Sequence, residues 1–222
     1  PLWSPKYLTI ADLFQQNSPY AIGDPILLVS KLYKEYIKSI HKENAAEAEV
    51  ESLDSFYYWG EMLIKDFDDV DKHLVNAKQL FANIKELREI GTAKDILEPK
   101  QAESIARFFS NFNAGGKIEG KFQTIWERLY TIYCTFKESL RESGIAYEGM
   151  MFRDVIESGK EIVLNYDKYL FVGFSALNEV ESRMFDYVQK EGKALFYWDY
   201  DTYYTQNETQ EAGYFIRKNL KR

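Results

Sequence analysis

The chain has 222 residues, 45% of them hydrophobic and 28% charged, with a formal net charge of −7 and a single cysteine. That length suits one large domain or two small ones. The negative balance argues against a free-standing, generally adhesive nucleic-acid binder but leaves room for a local basic groove, while one cysteine, Cys134, excludes an internal disulfide framework and fits a reducing compartment.

Thr9 and Asp12 are placed to cap a short helix through Gln16, before Pro19 and Gly23 break the segment. Asp24-Pro25 then starts a second helix, with Asp24 as N-cap and Pro25 at the first helical position. Its apolar face is Leu28, Leu32, Tyr36 and Ile40. An acidic stretch, 43–51, leads into a helix from Ser52 to about Lys65, with Phe56, Trp59, Leu63 and Ile64 inward. The run Asp66-Phe67-Asp68-Asp69-Val70-Asp71 lacks the Gly and Glu of a calcium loop. It reads as a break, with Asp68 or Asp69 capping a further helix that carries Leu74, Ala77, Phe81, Ile84 and Leu87 and ends at Gly91.

Pro99 opens a helix with Ile105, Phe108, Phe109 and Phe112 inward. The longest predicted helix covers roughly 122–143, with Phe122, Ile125, Trp126, Leu129, Tyr133, Phe136 and Leu140 on one stripe and Gly144 as its stop. Cys134 lies beside that stripe and reads as a buried, inert thiol. A short helix over 148–157 follows. The grammar changes after Gly159. The run from Tyr169 to Phe174 is continuously apolar, as expected of a strand buried on both faces. Asn178 to Glu191 is a helix with Val180, Met184 and Val188 inward, and Lys193 to Trp198 is a second strand. Together they make a βαβ unit with parallel strands. Two parallel strands are a marginal sheet, so either 161–164 adds a third or the missing strands lie outside the chain. The segment 202–222 reads mostly as one amphipathic helix.

Several patterns resemble chemical sites. Gly115 to Lys121 fits the spacing of a phosphate-cradling loop, but Phe122 stands where Ser or Thr should hold magnesium, and a helix precedes it in place of a strand. It reads as a helix connector whose Lys117 and Lys121 are candidates for contact with a phosphate backbone. His41 and His73 are far apart and no metal-ligand spacing occurs, so no metal site or cofactor is expected. Asp199 and Asp201 end the last strand, where α/β folds place ligands, although a strand-end turn accounts for them equally. Of 17 Tyr, 15 Phe and 4 Trp, most fall on helical stripes and belong to the core. Tyr200, Tyr203 and Tyr204 cluster after a parallel strand instead, where exposed rings could stack on bases.

The segment Phe171-Val172-Gly173-Phe174-Ser175-Ala176-Leu177-Asn178-Glu179 resembles the degenerate helicase half of RecC and AddB-type subunits of double-strand-break repair complexes. In working superfamily I helicases this strand ends in acids that hold magnesium and activate water. The resemblance places Gly173 and Phe174 at those two positions. Leu195 to Asp201 resembles the following strand without its nucleotide-sensing residues. Phe56 to Leu63, with Asp66-Phe67-Asp68, and Ala146 to Arg153 are similar to large AddB-like proteins of Bacteroidetes, which join an inactivated helicase region to a PD-(D/E)XK exonuclease domain. The resemblance implies a mixed α/β, mostly helical fold. A helical 1B-like region over 1–160 would precede a partial parallel-sheet, P-loop-NTPase-like 1A core over 161–222 that lacks Walker motifs.

It further implies a cytoplasmic, internal fragment of a DNA-repair helicase–nuclease. The absence of an initiating Met and the stop at Lys221-Arg222 fit that expectation. The fragment would be non-catalytic, guiding single-stranded or forked DNA or docking a motor subunit of the AddA kind. No membrane partner is expected, since no run approaches the roughly 20 apolar residues of a spanning helix. A protein-interaction domain with no DNA role is the alternative that the acidic charge favours. An independent enzyme using Asp199 and Asp201 is the third reading.

Overall fold

Helices begin where a short polar side chain can take up unpaired amide groups. The computed structural model describes residues 4–41, 52–82, 128–207 and 209–221. In it, Thr9 and Asp12 form a capping box that opens α1 (Ile10–Gln15). The Thr9 backbone and side-chain hydrogen bonds hold the Asp12 carboxyl below its ordinary value. The two-residue strand β1 (Ala21–Ile22) precedes α2 (Pro25–His41), where Asp24 accepts from the amides of Ile26 and Leu27 at 2.9 and 3.3 Å.

Helix α3 (Leu53–Lys72) is followed by a helical stretch over 77–82, then α4 (Leu129–Glu142), the short strand β2 (Ile145–Ala146) and α5 (Glu148–Glu157). The remainder is β3 (Tyr169–Val172), α6 (Glu179–Lys190), β4 (Ala194–Tyr197), α7 (Thr202–Gln206), a single 3-10 turn (Glu211–Gly213) and α8 (Tyr214–Asn219). The fold is mixed α/β and mostly helical. The segment 83–127, with its expected helices and the Gly115–Lys121 connector, lies outside the described residues.

The chain forms two compact units. One draws on the described residues of Gly23–Asp66 and Val75–Ile145. There α2 packs along α4, burying Leu28, Val29, Leu32 and Tyr36 together with Leu129, Ile132, Phe136 and Leu140. Phe56 is fully buried and lies 4.9 Å from Tyr36, 5.2 Å from Tyr33 and 5.3 Å from Trp59, ring centre to ring centre. The Arg128 guanidinium donates to the Ser39 carbonyl, closing the end of α2 onto the start of α4. Cys134 is half-buried, and its thiol beside the Tyr130 hydroxyl raises that phenol above its ordinary value.

The other unit draws on the described residues of Pro1–Ile22, Phe67–Leu74 and Ala146–Arg222. Phe14 of α1 stacks on Phe152 of α5 with centroids 4.0 Å apart. Helix α6 packs against α5 and β4, burying Val180, Met184, Phe185 and Val188 completely. The strands β3 and β4 pair in parallel, with Phe171 opposite Phe196 and Val172 opposite Tyr197, which gives the expected βαβ unit.

Four expectations need correction. The helix does not break at Asp66–Asp71 but runs on to Lys72, because Phe67 and Val70 continue its buried stripe and tertiary partners take up the carboxylates of Asp68 and Asp71. Asp68 does cap a helix, but it is α5 and not the one that follows it: its Oδ1 accepts the Gly149 amide at 2.5 Å. The break falls later, at Leu74, whose φ is +52°. Second, β3 ends at Val172 and is buried on one face alone. Tyr169 and Phe171 are 8% and 6% exposed, Leu170 and Val172 58% and 63%, because a single helical layer covers the sheet among the described residues.

Third, 161–164 is not a strand. Asn17 serves both backbone groups of Val163, the Tyr187 hydroxyl donates to the Ile162 carbonyl, and Lys193 donates to the Leu164 carbonyl, so side chains replace ladder partners. Fourth, the C-terminal segment is not one helix. Arg217 holds a turn between α7 and α8 by donating to the carbonyls of Tyr204, Asn207 and Gln210 at 2.8, 2.9 and 2.9 Å.

Gly149 lets α5 approach α3 so closely that a Cβ there would sit 2.4 Å from the Asp68 carbonyl oxygen. Gly149→Ala must push the two backbones apart. It is expected to cost about 1–3 kcal/mol of stability, read as a lower urea midpoint with an unchanged m-value.

Candidate functional site

The two residues placed at the strand end behave differently from metal-holding acids. Gly173 follows β3 with φ at +81°, a backbone conformation that glycine takes without strain and a side-chain-bearing residue takes at a cost. Phe174 turns its ring back onto the unit's core. It meets Phe185 edge-on at 5.1 Å and 90°, and Phe171 at 6.4 Å and 68°. The loop beyond is anchored: the buried Asn219 amide of α8 donates to the Ser175 carbonyl at 2.8 Å, and Asn178 caps α6 in a reciprocal box with Glu181. The end of β3 therefore presents aromatic and backbone groups, with the nearest carboxylates engaged in opening α6.

The end of β4 is built otherwise. Asp201 accepts the Tyr203 amide at 2.8 Å and opens α7, the strand-end turn that the sequence allowed. Tyr203 and Tyr204 form an edge-on pair at 5.2 Å and are exposed. Tyr200 lies apart from that pair. Its ring lines a groove of about 760 Å³ between α7 and α8, together with Tyr214, Arg217, Lys218 and Lys221. Of the three described candidate contact residues, Tyr200 alone lines this groove; Lys117 and Lys121 lie outside the described residues. The periodicity of 202–222 assigned Tyr214, Lys218 and Lys221 to one helix and concealed them. The closely spaced basic residues at the end of the chain were the available signal.

A second concentration of charge lies between α3, α5 and α6. Lys72 contacts Asp68 at 2.8 Å and Glu148 at 2.5 Å. Asp71 is fully buried, accepting from the Tyr147 hydroxyl at 2.5 Å and pairing with Arg153 at 3.3 Å. Burial is the largest single influence on Lys72 and pulls it down, but the hydrogen bonds and charges of Asp68 and Glu148 together outweigh it, holding the amine above its ordinary 10.5. Burial likewise dominates at Glu181, raising its carboxyl above 4.5 against the opposing pull of the Asn178 amide and Lys72. Each carboxylate of this cluster faces a cation or a backbone amide, an arrangement that ties α3 to α5. Among the described residues no group of three or more His, Cys, Asp or Glu side chains is placed to hold a metal ion, and no described helix is long and apolar enough to cross a membrane.

Comparison of the chain with protein-family models, with curated proteins and with solved structures finds no match.

The Glu181 shift has a definite sign. A carboxyl raised in the folded state binds its proton more tightly there, so its contribution is fully present below pH 4.5 and is lost as pH rises through the folded value. The stability of the native chain relative to Glu181→Gln is therefore expected to be constant at the acid end and to fall across that window. Urea midpoints of both proteins against pH check it.

Proposed function

We propose that this chain is a non-catalytic, helicase-like scaffold within a DNA-repair helicase–nuclease of the AddB and RecC kind, guiding single-stranded or forked DNA or docking an AddA-like motor subunit. The observation that carries the reading is the end of β3. A motor needs two carboxylates there to hold magnesium and orient water. At the first position the backbone has a φ of +81°, where an aspartate would be strained. At the second, Phe174 is packed on Phe185, and its removal would open the strand–helix interface. The parallel βαβ arrangement supports an ATPase ancestry for the fold; the link to DNA repair rests on the resemblance of the flanking segments. In this reading the fragment is not an enzyme and takes no cofactor, any nuclease domain lies beyond these residues, and the protein works in the cytoplasm, where the free Cys134 stays reduced.

A protein-interaction domain with no DNA role is the second reading. It is favoured by the open face of the sheet, where Leu170, Val172, Leu195 and Tyr197 are all exposed. Salt-dependent binding of the chain to forked DNA separates the two, because phosphate contacts release counterions.

ATP turnover by the chain would falsify the scaffold reading. The expected result is no hydrolysis, and no change in melting temperature with magnesium and ATP. Writing the acids back is expected to harm the fold without creating a motor: Phe174→Glu should cost about 2–4 kcal/mol through lost ring packing and a charge forced toward Phe185. Thermal melts and a phosphate-release assay on the same variant check both halves of that expectation.

A further inference from the structure

The lining of the α7–α8 groove runs against the composition of the chain. The whole protein carries a net charge of −7, yet the groove is lined by Arg217, Lys218 and Lys221 and by no acid. The three cations differ in duty. Arg217 spends its guanidinium on the carbonyls of Tyr204, Asn207 and Gln210, so it holds the groove's shape while adding fixed positive charge. Lys218 and Lys221 are exposed and stand outside every ion pair of the described residues. Two rings accompany them: Tyr200 is 44% and Tyr214 60% exposed.

Two ammonium groups would be served by any polyanion, but exposed rings beside them select one whose anionic groups alternate with flat apolar ones. Unpaired bases on a phosphate backbone have that alternation, and every base has a face that can stack on tyrosine. A duplex keeps its bases stacked on each other and would leave both rings uncovered. A mononucleotide would engage one ring and leave the second ring and ammonium unused.

We propose that the groove between α7 and α8 binds single-stranded nucleic acid, with Lys218 and Lys221 on phosphates and Tyr200 and Tyr214 stacked on bases. The choice of polymer deepens the DNA-guiding function proposed above and rests on it; the charge and rings of the groove do not. Tyr203 and Tyr204 pair with each other outside the groove and take no part.

The test is fluorescence anisotropy with the whole chain and a labelled oligothymidylate of about 20 nucleotides, longer than a single site of this kind, with oligouridylate as a second arm. The Lys218→Ala/Lys221→Ala double variant should bind at least about tenfold more weakly near 0.1 M salt, and its slope of log K on log salt should be shallower by about 1.4, from roughly 0.7 per lost phosphate contact on a single strand. Tyr214→Ala should lose roughly tenfold or more. Tyr214→Phe should bind like the native chain, since stacking needs the ring and not the hydroxyl. Lys34→Ala, an exposed lysine on α2, should change nothing.

Native-strength binding by the lysine and Tyr214→Ala variants would overturn the groove while leaving the DNA-guiding function standing. Binding to oligouridylate alone would support the groove and overturn the DNA assignment. Displacement of the oligomer by thymidine monophosphate at equal concentration would overturn the polymer, and binding to neither oligomer would overturn both proposals.

Discussion

Phe185 organises the βαβ unit. Its ring is fully buried on α6, 4.0 Å from Phe171 on β3, 5.7 Å from Phe196 on β4 and 5.1 Å from Phe174 in the loop beyond. An isolated pair of parallel strands is marginal in water, so the pairing of Phe171 with Phe196 depends on a helix that covers both. Four rings meeting at these separations bury large apolar area in offset and edge-on geometries that aromatic groups favour. The same packing constrains the loop beyond β3. Phe174 is part of the interface, so a charged side chain at that position would be turned toward packed rings.

The ionic cluster at Lys72 shows how buried charge is accommodated elsewhere in the unit. A fully buried carboxylate such as Asp71 is tolerable only with partners, and Tyr147 and Arg153 are those partners. Asp68 satisfies an amide in the first turn of α5, where a negative charge also meets the positive end of the helix dipole. These contacts join α3 to α5. Gly149 belongs to the same arrangement, because only the absence of a Cβ allows the backbone of α5 that close to Asp68. The raised carboxyl of Glu181 is the cost of drawing one more acid into a crowded region that it also helps to cap.

The segments that follow the two strands leave the same edge of the parallel sheet but are built differently. The end of β3 is sealed by aromatic packing and by the Asn219 amide reaching from α8. Beyond β4 the chain opens into a groove with uncommitted lysines and exposed rings. On the scaffold reading proposed above, holding a strand requires charge and stacking surface, while turnover would require a metal and an aligned water. Arg217 links the two segments: by fixing the backbone between α7 and α8 it forms the groove, and α8 in turn carries Asn219 to the loop after β3.

Much of the local structure was legible in the sequence. The caps at Thr9 and Asp24, the limits of α5 and the parallel βαβ order depend on residues close together in the chain, and local hydrogen bonding and periodicity report them directly. The absence of acids at Gly173 and Phe174 is likewise a fact of sequence. Where Asp68 and Asp71 would find partners was not legible, because Gly149, Tyr147 and Arg153 lie some 80 positions away, and without those partners four aspartates in six residues read as a helix break. The break within 202–222 was hidden for a similar reason: the periodicity is genuine, but one guanidinium capturing three carbonyls outweighs it. The sequence by itself determined that the strand end carries no acid at Gly173 or Phe174. Only the tertiary structure decided that Phe174 seals the core there, that one face of β3 stays open, and that Tyr200 meets Tyr214, Lys218 and Lys221 in one groove, because burial and charge pairing act between residues that the chain order keeps apart.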